Sequence, residues 1–129
     1  MAERAEDEII NQFRGVLGSV RGILLYGSRV CGYADSTSDT DLCLILHDNA
    51  DRTAVYTSIL NAEPQYDIVV YDEIPWYLRG RILEHHHVVY AEDPEGLDFW
   101  LHKQRRVWQD MKRRQQPASL DDLLTRAGR

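Results

Sequence analysis

Three aspartates at the starts of two apolar segments are the residues of this sequence best suited to chemistry. Asp39 and Asp41 stand two positions apart before the run LCLIL (42–46), and Asp67 precedes the run IVV (68–70). Side chains alternate along a strand, so Asp39 and Asp41 project from one face and can converge on one cation. Magnesium usually combines one or two carboxylates with phosphate oxygens. If the two segments pair side by side, all three carboxylates can meet at one edge and form a two-metal site for phosphoryl transfer. The alternative is that Asp67 is a solvated residue at the start of a strand.

A glycine and a serine follow the earlier apolar segment, GILLYG (22–27). Gly27 allows the backbone to approach a ligand closely, and Ser28 can present an amide and a hydroxyl to phosphate oxygens. A turn glycine and a capping serine would explain the same pair without any ligand. The sequence has no Gly-Lys-Ser/Thr motif, which excludes a P-loop. Tyr26 and Tyr33 flank this stretch and could contact a base, although packing is the favoured role for both.

The apolar periodicity predicts helices and strands in the order α-β-β-α-β-α-β-α. We therefore expect an α/β (α+β) domain in which a mixed four-stranded sheet is packed with helices. We divide the chain into a core over 1–95 and a C-terminal amphipathic helix with its tail over 96–129, packed on the same domain. The predicted segments are a helix over 4–17, strands over 22–27 and 41–46, a helix over 52–61, a strand over 66–72, a helix over 75–84, a strand over 88–91 and a helix over 96–116. The inward stripe of the last helix is predicted to comprise Leu97, Trp100, Leu101, Gln104, Val107, Trp108 and Met111.

Composition and charge exclude several classes of protein. The 129 residues carry a net charge of -6, which disfavours a general nucleic-acid binder. No apolar run approaches the roughly 20 residues that span a bilayer, and the acidic start MAERAEDEII lacks the features of a secretory signal, so a cytoplasmic location is expected.

Cys31 and Cys43 match no zinc motif and are predicted to be buried free thiols. The histidines of EHHH (84–87) also lack a convincing zinc spacing. Six basic residues and one acid lie between 103 and 114, a pattern typical of a solvated helix face that could also contact RNA or an acidic partner.

The glycine, the serine and the three aspartates together resemble the signature of the DNA-polymerase-β-like nucleotidyltransferases. Gly27-Ser28, ten intervening residues, Asp39-Thr40-Asp41 and the later Asp67 carry this resemblance, which covers about residues 9 to 93. Within that superfamily, YGSRVCGYADSTSDTDLCLIL is most similar to the minimal nucleotidyltransferases (MNT), including the MNT antitoxins that are paired with HEPN toxins. Val30 and Cys31 depart from the usual small and basic residues, and they leave the metal ligands untouched.

This resemblance implies a transfer of a nucleoside monophosphate, AMP from ATP, to an acceptor hydroxyl with two magnesium ions. Asp39 and Asp41 would hold both ions, and Asp67 would complete the site and help to deprotonate the acceptor. Gly27 and Ser28 would hold the terminal phosphates of the nucleotide. Arg29 would pair with phosphate, with a solvated arginine as the alternative. In the antitoxin branch the acceptor would be a tyrosine of a partner HEPN ribonuclease toxin.

Two other functions stay open at this point. The chain could be a non-catalytic antitoxin that acts by forming a complex, with a vestigial site. It could also modify a small molecule, as antibiotic nucleotidyltransferases do, although a short chain offers little room for such a pocket. The sequence leaves the nucleotide, the acceptor, the number of transfers and the oligomeric state undecided, a homo-oligomer included.

Overall fold

The structure is a computed structural model that describes residues 2–27 and 40–115. The element order agrees with the predicted alternation of helices and strands. Two short 3-10 helices, Arg14–Ser19 and Tyr71–Glu73, follow α1 and β3. The elements are α1 (Ala2–Gln12), β1 (Val20–Tyr26), β2 (Thr40–Leu46), α2 (Arg52–Asn61), β3 (Tyr66–Val70), α3 (Trp76–Glu84), β4 (His86–Ala91) and α4 (Pro94–Gln115).

The four strands form one sheet in the order β3-β2-β1-β4. β1 pairs antiparallel with both β2 and β4, and β2 pairs parallel with β3. A parallel pair needs a crossover connection, which α2 provides between β2 and β3. The N-terminus of α2 is capped by Asp51, whose side chain accepts a hydrogen bond from the Ala54 amide. The predicted mixed four-stranded sheet is confirmed.

Helices cover both faces of the sheet, so the central strands are buried on both sides. Along β2, Leu42 and Leu44 pack into one cluster while Cys43 and Ile45 pack into the other. The first cluster joins the sheet to α1 and α2, and the second joins it to α3 and α4. This arrangement explains why LCLIL is an unbroken apolar run, since neither face of the strand meets water. Cys43 is a buried free thiol, as predicted, whereas Cys31 lies outside the described residues.

Several predicted boundaries were wrong by a few residues. The predicted helix over 4–17 ends at Gln12 and continues as a 3-10 turn, in which the Phe13 amide donates to the Ile10 carbonyl. Gly15 and Gly18 favour this break because glycine is a poor helix former. The other differences are small: the strand predicted over 22–27 spans 20–26, the one over 41–46 starts at 40, the one over 66–72 ends at 70, the one over 88–91 starts at 86, the helix over 75–84 starts at 76, and the helix over 96–116 spans 94–115.

One member of the predicted inward stripe of α4 was also wrong. Val107 is 45% exposed, whereas Leu97 and Leu101 are buried in the second cluster. Val107 lies about 100° around the helix from Trp108, so it falls at the margin of the face that meets the sheet. No described helix is long and apolar enough to cross a membrane.

Candidate functional site

The strand register places four polar side chains in one row across the sheet. Asp67 on β3 is paired with Asp41 on β2, Asp41 with Tyr26 on β1, and Tyr26 with His86 on β4. Side chains of directly paired residues point to the same face, and neighbouring strands lie about 4.8 Å apart. The carboxylates of Asp41 and Asp67 are therefore neighbours on the face that α3 and α4 cover.

The parallel pairing of β2 and β3 is what brings these two acids together. Both strands begin at the same edge of the sheet, and each carries its aspartate at its second position. At that edge the Thr40 amide donates to the Gln65 carbonyl over 2.8 Å, which fixes the start of β2 beside the start of β3. Asp41 is half-buried and Asp67 is exposed, so the pair lies at the rim of the core and is open to a ligand.

Gly27 closes the same edge from the end of β1. Its φ angle is +82°, a conformation that favours glycine, and it is the only described residue recorded with a positive φ. A Cβ atom placed on Gly27 would overlap the Asp41 Oδ2 atom and would lie 3.2 Å from Cγ. The backbone at Gly27 therefore lies directly against the Asp41 carboxylate, where no side chain fits.

The pKa of the Tyr26 hydroxyl depends on its burial and on both carboxylates. Burial raises the pKa of Tyr26 far above its ordinary value, and the negative charges of Asp41 and Asp67 raise it further. The phenol consequently stays protonated at any physiological pH and can donate a hydrogen bond beside the two acids. For Tyr26 the sequence favoured packing over contact with a base. Its place directly before the glycine was the available signal for a position in the site.

The pair of adjacent carboxylates fits a divalent cation. Two like charges on neighbouring strands repel each other, and a bound magnesium ion would relieve that repulsion. Within residues 2–27 and 40–115, no group of three or more His, Cys, Asp or Glu side chains converges on one point. The third predicted ligand, Asp39, lies outside the described residues, as do Ser28 and Arg29. Their roles stay predictions.

The three consecutive histidines diverge. His85 follows the last residue of α3, and the His86 Nδ1 atom lies 2.8 Å from the Ile82 carbonyl oxygen. His87 projects from the other face, and its Nε2 atom lies 2.5 Å from Glu6. Of the three histidines, only His86 lies in the same row as the two aspartates. This position was not predicted from the sequence, because β4 was expected to start at residue 88 and starts at His86.

Contacts within the chain engage most of the basic residues of α4. Lys112 pairs with Glu84 over 2.7 Å, Arg105 donates to the Leu83 carbonyl over 3.4 Å, and Lys103 packs over the Phe99 ring at 4.7 Å. Arg114 pairs with Asp110 on the same helix. The basic stretch thus helps to hold α4 against α3, and any contact with a partner remains a prediction.

Comparison with known proteins agrees with this geometry. The family model described as "Polymerase beta, Nucleotidyltransferase" matches residues 7–95. A protein of Methanocaldococcus jannaschii, provisionally named as a protein adenylyltransferase, is 33% identical over 98 residues, covering 76% of this chain and 77% of its own length.

Two solved structures share the fold. One is a toxin–antitoxin complex with AMP-PNP, with a TM-score of 0.67, 20% identity and coverage of 92% of this chain and 98% of that chain. The other is a complex of the tri-AMPylated HEPN toxin of Shewanella oneidensis with its MNT antitoxin, with a TM-score of 0.65, 19% identity and coverage of 96% and 99%. The match to the family model, which spans the whole sheet and both aspartates described above, shows that this chain belongs to the polymerase β nucleotidyltransferase family.

Proposed function

We propose that this protein transfers AMP from ATP, with magnesium, to a tyrosine hydroxyl of a partner HEPN-type toxin and thereby acts as its antitoxin. The relative in Methanocaldococcus jannaschii is named for protein adenylyltransferase activity, which supports a protein as the acceptor. The structural neighbours are chains of toxin–antitoxin complexes, one with AMP-PNP and one with an AMPylated HEPN toxin, which supports both the nucleotide and the class of partner.

The observation that carries the proposal is the register of β2 and β3. It aligns Asp41 with Asp67, and Gly27 approaches the same carboxylate from β1. A vestigial site would have no need to keep two neighbouring carboxylates at a sheet edge, where they repel each other. The geometry therefore favours catalysis over an antitoxin that acts by binding alone.

Each residue at this edge has a role in the proposed reaction. Asp41 and Asp67, with Asp39, would hold magnesium, which when bound offsets the negative charge of the phosphates. Gly27 leaves room for the terminal phosphates beside Asp41, and Ser28 would donate to them. Asp67 would accept the proton of the tyrosine hydroxyl. The phenolic oxygen then attacks the α-phosphorus, the bond to the bridging oxygen breaks, and pyrophosphate leaves.

Transfer of labelled AMP tests this proposal directly. The protein is incubated with α-labelled ATP, magnesium and the protein encoded beside it, and the label on each chain is measured. We expect Asp41→Asn and Asp67→Asn each to lower the rate by about 10³-fold, since each removes a carboxylate that holds the metal. Asp110→Asn is the matched control, because Asp110 is an exposed acid of α4 whose one ion pair among the described residues is with Arg114 on the same helix.

The other functions predict different results. An antitoxin that acts by binding would neutralise the toxin without label transfer and without loss in the Asp41→Asn variant. A small-molecule enzyme would label an aminoglycoside in the absence of any protein partner. Either result, or transfer that is unchanged in both aspartate variants, would refute the proposed reaction.

A further inference from the structure

A second polar cleft lies on the same face of the sheet, at the opposite end from Asp41 and Asp67. It has a volume of about 170 Å³ and includes Arg21, Arg79, Tyr71, Trp100 and Gln104 among its lining residues. Ile45 also lines the cleft, and it lies four positions after Asp41 along β2, a distance of about 13 Å. A group bound in this cleft would not touch the proposed catalytic residues.

Arg21 has a buried nitrogen without a partner. The residue lies at an irregularity of β1, where the pairing with β2 shifts between Val20 and Gly22. Its Nε atom is buried and has no hydrogen-bond partner among the residues that the structure describes. No carboxylate in residues 5–27 or 40–114 forms an ion pair with its guanidinium group. A buried donor of this kind is normally satisfied by an acceptor, which here can come from a ligand.

Arg79 is held in place by groups that do not neutralise it. Its Nε atom donates to the Ile74 carbonyl over 2.9 Å and its Nη2 atom to the Asp72 carbonyl over 3.0 Å. Its guanidinium carbon lies 5.1 Å from the Tyr71 ring centroid and 4.7 Å from that of Trp76. Backbone carbonyls and aromatic rings thus fix the position of this arginine while its positive charge remains available to an anion.

The acids near the cleft determine which anion fits. Asp72 is paired with Arg52, and Asp48 is exposed at the rim and forms no ion pair in the described part of the chain. Both would repel a doubly charged phosphate more strongly than a singly charged carboxylate. The planar fork of arginine matches the two oxygens of a carboxylate.

We propose that this cleft, defined by Arg21 and Arg79, binds a carboxylate group. The carboxylate enters the cleft beside the Tyr71 and Trp100 rings, which contact each other edge to face, and accepts hydrogen bonds from the Arg21 guanidinium, including its Nε. It can belong to a free small acid or to an acidic side chain of a bound protein. This binding does not depend on nucleotidyl transfer, so it stands or falls separately from the proposed function.

Nitrogen-15 NMR of the arginine side chains tests the proposal. The full-length chain is titrated with sodium butyrate, with N-acetylglutamate α-amide, whose one carboxylate is that of the side chain, and with phosphate, at ionic strength held constant with sodium chloride. We expect either carboxylate to give a saturable shift of the Arg21 Nε–H signal, assigned by its loss in Arg21→Gln. Stronger binding of butyrate would identify a free acid as the source, and stronger binding of the glutamate α-amide would identify a protein side chain.

Variants give a second measurement. Read from the Arg79 Nε–H signal, which both variants keep, Arg21→Gln and Arg21→Lys should each weaken binding of the preferred carboxylate by about 10- to 100-fold, because both remove the guanidinium fork. The matched control is Arg81→Gln, since Arg81 is an exposed arginine of α3 outside the cleft. Unchanged urea midpoints would show that the variants are folded. Absence of a saturable shift with both carboxylates, or tighter binding of phosphate, would overturn the proposal.

Discussion

Replacing Gly27 with alanine perturbs both the backbone and the carboxylate of the proposed site. Gly27 has a φ angle of +82°, and a Cβ atom there would overlap the Asp41 Oδ2 atom. Alanine in a left-handed conformation costs about 1–2 kcal/mol. To restore ordinary contact, the Asp41 carboxylate must shift by on the order of 1 Å, away from its preferred rotamer, at a further cost of about 0.5–1.5 kcal/mol. Together these give a loss of about 1.5–3.5 kcal/mol in the free energy of unfolding.

The expected loss can be measured by urea denaturation at 25 °C. Gly15→Ala is the matched control, because apart from its two chain neighbours no described residue has an atom within 4 Å of the Cβ position at Gly15. That control should be unchanged or slightly more stable, since alanine reduces the entropy of the unfolded chain.

Activity provides the second measurement for Gly27→Ala. A displacement of about 1 Å in a reacting group costs about 10²-fold in rate, so label transfer should fall by that factor while Gly15→Ala transfers normally. If Gly27→Ala matches Gly15→Ala in both stability and transfer, the close approach of Gly27 to Asp41 is refuted.

Three further perturbations test the site and the packing that supports it. Without magnesium, Asp67→Asn should raise the free energy of unfolding by about 0.5 kcal/mol, because it removes the negative charge beside Asp41. The variant should also lose the stabilisation that magnesium is expected to confer on the natural chain. Both effects are measured from urea midpoints. Gly80→Ala should cost about 1–3 kcal/mol, because its Cβ would meet the Trp108 indole, while Gly18→Ala, with open space around it, should cost far less in the same assay. Burial lowers the pKa of His86, so the unfolded chain binds a proton below about pH 6.5 that the folded chain does not. Stability should therefore fall as pH falls from about 7 towards the folded pKa, and His86→Gln should flatten this slope; an equally steep slope would contradict the assignment.

The sequence was informative wherever short-range patterns decide structure. The unbroken run in LCLIL indicated a strand buried on both faces, and β2 is buried in this way. The helix over 52–61 was predicted with the bounds that the structure has, because a capping aspartate and Pro64 enclose its apolar positions. Boundaries set by tertiary contacts were less accurate. Tyr71 was predicted to continue β3, but it leaves the strand and its hydroxyl donates to Gln104 on α4 over 2.9 Å.

By itself, the sequence determined the local chemistry. It shows that Asp39 and Asp41 stand two positions apart at the start of a strand, and that Gly27 ends an apolar strand. These features depend only on the period of a strand and on residue type. Only the tertiary structure decided that β3 runs parallel to β2 in a register that aligns Asp67 with Asp41, since a shift of one residue would turn Asp67 to the other face. The approach of Arg21 and Arg79, which are 58 positions apart in the chain, was equally invisible in the sequence, because it depends on how α3 and α4 pack across the sheet.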